Sequence, residues 1–306
     1  MPRRHRRSEL PSKGTKSKRI LYIIGFLVVL VIIFTSVVNG LKKTLFFSHK
    51  DRVNLVFYGK QTTYFSLGIN TEGDYAISFP ADLKMPIPGG YGQYRVGALG
   101  KLVSLEKKPE LFRNTFSFAT FSFINDYFYT PSDDVYYGSD ETIKLPSPKQ
   151  IWEARSNAGL LDKLYLIFFF INKNMQDIHQ ITADSSTNSQ GDDMFLADDF
   201  QKRITGYLFQ QSYRNEQKSV QILYANNYIN ADRVGKMIEG NGIRVGDISQ
   251  DGSLVKGCIV KEDFNSPSRS GQALVQFFHC QWQRGKSDFY DILFQLGEEE
   301  KEWEVK

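Results

Sequence analysis

Between Ile20 and Leu41 the chain runs for 22 residues without a charged side chain (ILYIIGFLVVLVIIFTSVVNGL). At about 1.5 Å of rise per residue that is about 33 Å of helix, enough to cross a hydrocarbon core of about 30 Å. The run is therefore predicted to span a membrane. Before it, residues 1–19 carry eight basic side chains (Arg3, Arg4, Arg6, Arg7, Lys13, Lys16, Lys18, Arg19) and one acid, Glu9. Only Lys42 and Lys43 follow closely on the other side. Positive flanks stay inside, so the pattern predicts a cytoplasmic N-terminus, lipid contact over 20–41 and an extracytoplasmic body at the cell membrane. A cleaved signal peptide also begins basic and continues apolar, and Val38-x-Gly40 is a tolerable cleavage site. Its apolar core normally spans about 7–15 residues, however, which favours an uncleaved single-pass anchor here.

The basic tail also governs how the net charge reads. The 306 residues hold 38 Lys+Arg against 34 Asp+Glu, a formal +4, but the tail alone is +7 and the remaining 287 residues are −3. A slightly acidic body lacks the clustered Lys and Arg that hold phosphate backbones, which argues against a nucleic-acid partner. Apolar content of 41% is too rich for disorder and suffices for one or two domains. Two cysteines and four scattered histidines (His5, His49, His179, His279) argue against a disulfide-dense scaffold or a metal centre.

After a spacer at 42–50, Val53–Tyr58, Tyr64–Ile69 and Tyr75–Phe79 read as strands. Pro86–Gly92 is a loop, and the GALGKLVSLEK that follows it is predicted helical. Over Leu111–Phe123 the periodicity is mixed; Phe116, Phe118, Phe121 and Phe123 alternate like one buried face of a strand, while with Tyr91-x-x-Tyr94 they would also suit a carbohydrate platform. Ser147-Pro148 predicts the start of a helix continuing through Ile151, Trp152, Ala154 and Leu160–Leu164, and Leu166–Ile171 is predicted core. Residues 182–193 form a polar stretch without calcium-loop spacing, predicting a solvated loop. Beyond Ser219 short strands and helices alternate, with helices predicted to begin at Asn230 and Ser266-Pro267, and EEEKEWEVK is predicted to be a solvated end.

That last module resembles the C-terminal domain of LytR-type cell-envelope proteins through Val220-Gln-Ile222-Leu-Tyr-Ala-Asn226, Ala231–Glu239, Gly242-Ile-Arg-Val245 and Phe294-Gln-Leu296-Gly297. The glycine-rich turn after its first strand is replaced by Asn226-Asn227-Tyr228. The stretch before it resembles a divergent LytR-CpsA-Psr domain: Val53–Gly59 is similar to the family's opening strand, Ile77–Asp82 to its S-I-P-R-D, Ile87-Pro88-Gly89 to its I-P-G, and Arg95 to a following basic residue. The resemblance implies an α/β fold with a single N-terminal transmembrane helix. Its parts would be a basic tail (1–19), span (20–41), spacer (42–50), LytR-CpsA-Psr-like domain (51–215), LytR C-terminal-like domain (216–300) and charged tail (301–306).

Family members transfer a glycopolymer from a lipid pyrophosphate to the wall, with arginines and a divalent metal around the leaving group. Such groups stabilise the charge that develops there. This sequence departs from that set: the arginine of S-I-P-R-D is Ala81, Lys60–Thr63 holds no carboxylate, and 51–150 contains only Arg52, Arg95 and Arg113. Asp82 and Arg95 are left as vestigial phosphate-binding candidates. The expectation is a non-catalytic envelope protein, without cofactor or metal, that binds wall glycopolymer or envelope proteins. The alternative is an active phosphotransferase using Mg²⁺. Cys258 and Cys280, 22 positions apart, are read either as a disulfide or as two buried small apolar residues.

Overall fold

The computed structural model describes residues 22, 24–31, 34, 35, 38, 44, 51–69, 73–132, 134–138, 142–189, 191–251, 255–287 and 289–305. Residues 1–48 and 49–306 are two separate units. In the first, residues 24–31 are helical. Among the described residues no helix is long and apolar enough to cross a membrane. The predicted span at 20–41 lies in good part outside them, as do the basic tail and most of the spacer.

The body is mixed α/β. Strands β1 (Arg52–Tyr58), β2 (Thr62–Gly68) and β3 (Asp74–Phe79) form an antiparallel meander. A turn leads to the hairpin β4 (Lys84–Ile87) and β5 (Gly92–Arg95), then to helices α1 (Leu99–Glu106) and α2 (Glu110–Thr120). Strand β6 (Asp126–Tyr129) returns parallel to β1. Helix α3 (Pro148–Glu153), strand β7 (Arg155–Ser156), helix α4 (Leu160–Ile171) and strand β8 (Ile178–Thr182) follow. The hairpin β9 (Ser185–Thr187) and β10 (Asp193–Phe195) precedes helices α5 (Ala197–Ile204) and α6 (Gln211–Glu216). The strands make a six-stranded sheet, β7-β6-β1-β2-β3-β8, and a four-stranded one, β5-β4-β10-β9.

A strand covered on both faces needs a near-continuous apolar run, and VNLVFY in β1 supplies one, interrupted only by Asn54, whose side chain donates to Phe123 O and accepts from Ser66 Oγ. On one face Val56, Tyr58, Tyr64, Ile77 and Phe79 pack against α1 and α2 through Leu99, Leu102, Phe112 and Phe116. On the other, Phe57 stacks on Phe128 at 4.5 Å and meets Phe65 and Phe170 edge-on.

The chain continues through β11 (Ser219–Tyr224), α7 (Tyr228–Gly240), β12 (Arg244–Gln250), β13 (Ile259–Glu262), α8 (Arg269–Phe278), β14 (Gln281–Arg284) and β15 (Ile292–Gln295). These strands form one sheet in the order β12-β11-β15-β13-β14, closed by a 3-10 helix at Gly297–Trp303. Its core joins Ile222, Val234, Ile238, Leu274 and Phe294 with Phe121 and Phe123, which come from the segment just after α2.

Several elements depart from the sequence expectations. The segment holding Phe116 and Phe118 is helical, because Phe112, Phe116 and Ala119 follow the i, i+4, i+7 spacing of a buried helix face. The helix opened by Ser147-Pro148 has the predicted cap, with Ser147 Oγ accepting from Gln150 N, but stops at Glu153. Ala154 turns extended and Arg155-Ser156 pairs with β6 before α4 begins. Leu166–Ile171 is only half core: Leu166 and Phe170 are buried while Phe168 and Ile171 are exposed. The polar stretch 182–193 is largely solvated as expected, but it is not a free loop: it holds β9 and the first residue of β10. Asn227 and Ser268 are the actual caps of α7 and α8, the first three residues earlier than expected.

The C-terminal segment is not solvated throughout, since Glu300 and Trp303 are each 1% exposed. Glu300 accepts from the backbone N–H groups of Ala225 (3.0 Å), Asn226 (3.1 Å) and Asn227. A carboxylate thus fills the positive end of α7. Helix α8 is treated in the same way by Glu216, which accepts from Arg269 N and Ser270 N, and by Glu262, which accepts from Ser268 N.

Candidate functional site

Asp82 and Arg95 lie at the two ends of one short stretch but do not converge. Asp82 sits in the turn after β3, where Leu83 N donates to Pro80 O at 3.1 Å, and its Oδ2 accepts from Gly138 N at 2.8 Å. Ala81, standing where the family motif has arginine, is buried, and its carbonyl accepts from Gly97 N. There is no room to spare: a Cβ at Gly97 would lie 2.1 Å from Tyr136 O. Asp82 therefore closes a loop against a packed turn.

Arg95 ends β5 directly opposite Lys84 of β4. Two like charges paired across antiparallel strands repel. Asp192 resolves the conflict by accepting from Lys84 Nζ at 2.5 Å and from Arg95 at 3.3 Å. It is delivered by β10, whose Met194 pairs with Lys84, and its own backbone N–H donates to Asn188 Oδ1. The hydrogen bond from Lys84, with a smaller contribution from Arg95, holds the Asp192 carboxyl below the ordinary carboxylate range. The acid that engages Arg95 lies 97 residues away on a segment that reads as a polar loop, so no local pattern announces it.

Among the described residues, clefts of about 390 and 790 Å³ are large enough for a ligand, and neither Asp82 nor Arg95 lines them. One, about 390 Å³, opens at the C-terminal ends of the parallel pair β1 and β6, with Phe57, Phe65 and Phe128 on its floor and Lys60, Lys144 and Lys149 among its walls. The other, about 790 Å³, lies between α5, α6 and the C-terminal end of α7. It is lined by Arg214, Lys218, Lys236 and Arg244 against a single acid, Glu239. Lys218 and Lys236 pair with Asp291 and Asp232. Among the described residues Arg214 and Arg244 make no ion pair, and the Arg214 guanidinium lies over the Phe209 ring at 5.1 Å. Burial pushes the Glu239 carboxyl up, which weakens the one opposing charge as pH falls. Such a cleft favours an anion.

Cys258 and Cys280 form a disulfide with Cα atoms 4.7 Å apart, joining the start of β13 to the end of α8. The pair is thereby removed from any metal site, and the neighbouring His279 ring instead meets Arg113 at 3.0 Å. Burial and then the Arg113 charge hold the His279 pKa down. Among the described residues no group of three His, Cys, Asp or Glu side chains could hold a metal ion.

No family model matches the chain, and no curated protein matches it in sequence. Two solved structures are similar in part. The crystal structure of Bacillus subtilis TagV superposes with a TM-score of 0.35 at 10% identity, over 51% of this chain and 96% of that one. The structure described as the transcriptional regulator yvhJ from Bacillus subtilis gives a TM-score of 0.35 at 11% identity, over 50% and 94%. Superpositions this loose assign neither family nor activity.

Proposed function

We propose that this chain is a membrane-anchored, extracytoplasmic envelope protein of the LytR-CpsA-Psr type that binds a wall glycopolymer without transferring it. The observation that carries the reading is the engagement of Asp82 and Arg95 by the protein's own groups: Gly138 N takes the carboxylate and Asp192 takes the guanidinium. A pyrophosphate clamp needs cations free to turn toward a developing negative charge. The basic tail with its 22-residue apolar run supports the anchor, and a disulfide at Cys258–Cys280 suits an oxidising compartment. The cleft bearing Arg214 and Arg244 is where an anionic polymer would bind.

Two measurements on the detergent-solubilised full chain test this. Incubated with Mg²⁺ and a polyprenyl-pyrophosphate glycan, it is expected to release no lipid pyrophosphate; release at a sustained rate would overturn the non-catalytic assignment. In co-sedimentation with an anionic wall glycopolymer, reversing both charges (Arg214→Glu with Arg244→Glu) is expected to weaken binding about tenfold, the effect of roughly 1.4 kcal/mol of lost attraction. Unchanged affinity would remove the cleft from the reading.

A further inference from the structure

Helix α4 buries one side and leaves the other bare. Leu166 and Phe170 face the sheet, while Leu160, Leu164, Phe168 and Ile171 follow one another at i, i+4, i+8 and i+11 and are exposed, Phe168 by 65% and Ile171 by 59%. Leu161 widens the stripe. An unbroken apolar stripe along a 12-residue surface helix is about 18 Å of uncovered hydrocarbon, far from the scattered single exposures of an ordinary soluble surface.

The position of the helix says what covers it. Its C-terminal end is fixed by Lys173, whose Nζ lies 2.7 Å from Asp74 Oδ2 and 4.9 Å from the centre of the Phe169 ring. The preceding residue, Gly73, accepts the guanidinium of Arg52 at 3.2 Å. Arg52 is the first residue of β1, where the chain arrives from the spacer. The end of α4 and the start of the body are thus pinned to the same two residues, Gly73 and Asp74. Nine spacer residues, 42–50, reach at most about 30 Å when fully extended, so a body tethered to a bilayer keeps this edge within that distance of its surface.

We infer that the exposed face of α4 docks in the outer leaflet of the lipid bilayer, lying in its interface as an amphipathic helix does. The proposal rests on the anchor reading above. An apolar stripe at the headgroup boundary removes hydrocarbon from water at a depth of about 5–10 Å, and the tether replaces most of the entropy that free docking would cost.

The test uses the full chain reconstituted into phosphatidylglycerol/phosphatidylcholine vesicles, with and without bromine on the acyl chains. Phe168→Trp, and separately Ile171→Trp, add one emitter to Trp152, Trp282 and Trp303. Quenching of the added emission by brominated lipid by about twofold or more, beyond that of the parent, is expected at this depth. Flotation after alkaline washing reports the anchor independently. A chain that floats with both added tryptophans unquenched overturns the docking and leaves the anchor standing, and cross-links between copies through α4 would then make the face a self-association surface. A chain that fails to float overturns the anchor and the docking together.

Discussion

Glu300 offers the sharpest test of how the C-terminal module is held. Its carboxylate accepts from three consecutive backbone N–H groups, at Ala225, Asn226 and Asn227, where β11 gives way to α7. Removing it in Glu300→Ala strands the buried Ala225 donor together with the part-buried donors of Asn226 and Asn227. At about 1.5 kcal/mol for the buried donor and about 0.5–1 kcal/mol for each of the two that water can reach, the loss is roughly 3 kcal/mol. Glu300→Gln keeps an acceptor but sets an NH₂ group against at least one of the N–H groups and removes the charge favoured at a helix N-terminus, a loss of about 1–2 kcal/mol. For a body of this size 1 kcal/mol moves the midpoint by about 2–4 °C, so the alanine variant should melt roughly 6–12 °C lower. Urea unfolding followed by far-ultraviolet dichroism, with Trp303 fluorescence as a second probe in the same segment, measures both. A Glu300→Gln variant within about 0.5 kcal/mol of the parent would refute the reasoning, because it would mean water already serves those amides.

Three further outcomes are expected. Burial, with Glu302 adding, raises the Glu299 carboxyl to about 7 from an ordinary 4.5, so its contribution to stability is full below pH 4.5 and is lost as pH rises through 7. Glu299→Gln should flatten that decline and gain up to about 3 kcal/mol at pH 8, measured as unfolding midpoints across pH. Replacing Cys258 and Cys280 by alanine opens a loop of 22 positions and should cost about 3 kcal/mol, with the parent showing the same loss under reducing agent. Asp192→Asn should lower the unfolding midpoint at neutral pH. Because the Asp192 carboxyl is held below its ordinary range, the gap between variant and parent should close as the pH falls below the unfolded value of 3.8.

The apolar strands were legible because their constraint is local: VNLVFY must be covered on both faces wherever it sits. The alternation from Ser219 onward was legible for the same reason, and the structure places a five-stranded sheet there. What sequence reasoning missed depends on distant partners. Phe116 and Phe118 alternate like a strand, but Phe112 and Ala119 decide for a helix once α2 lies on the sheet. The Lys84–Asp192–Arg95 group joins residues about a hundred positions apart, and Glu300 reaches back over 70 residues to α7. A run of glutamates reads as solvated until one of them meets an exposed set of helix amides.

The start of β1 is gripped from both sides of the body. Gln210 accepts from Arg52 N at 3.1 Å and donates to Arg52 O at 2.5 Å, Ser212 N donates to Asp51, and Gln210 N donates to Asn241 O beyond α7. Nearby, Phe123 stacks on Phe277 at 4.3 Å, its N–H donating to Asn241 Oδ1. A Cβ at Gly240 would lie 1.9 Å from Phe121 O. Tension applied through the spacer would therefore not peel away a single strand. It would load the six-stranded and five-stranded sheets at once, through the one suture in which Gln210 holds Arg52 and Asn241 holds Gln210 and Phe123. In mechanical terms the two sheets are spliced rather than strung in series, and Gln210 and Asn241 are the splice.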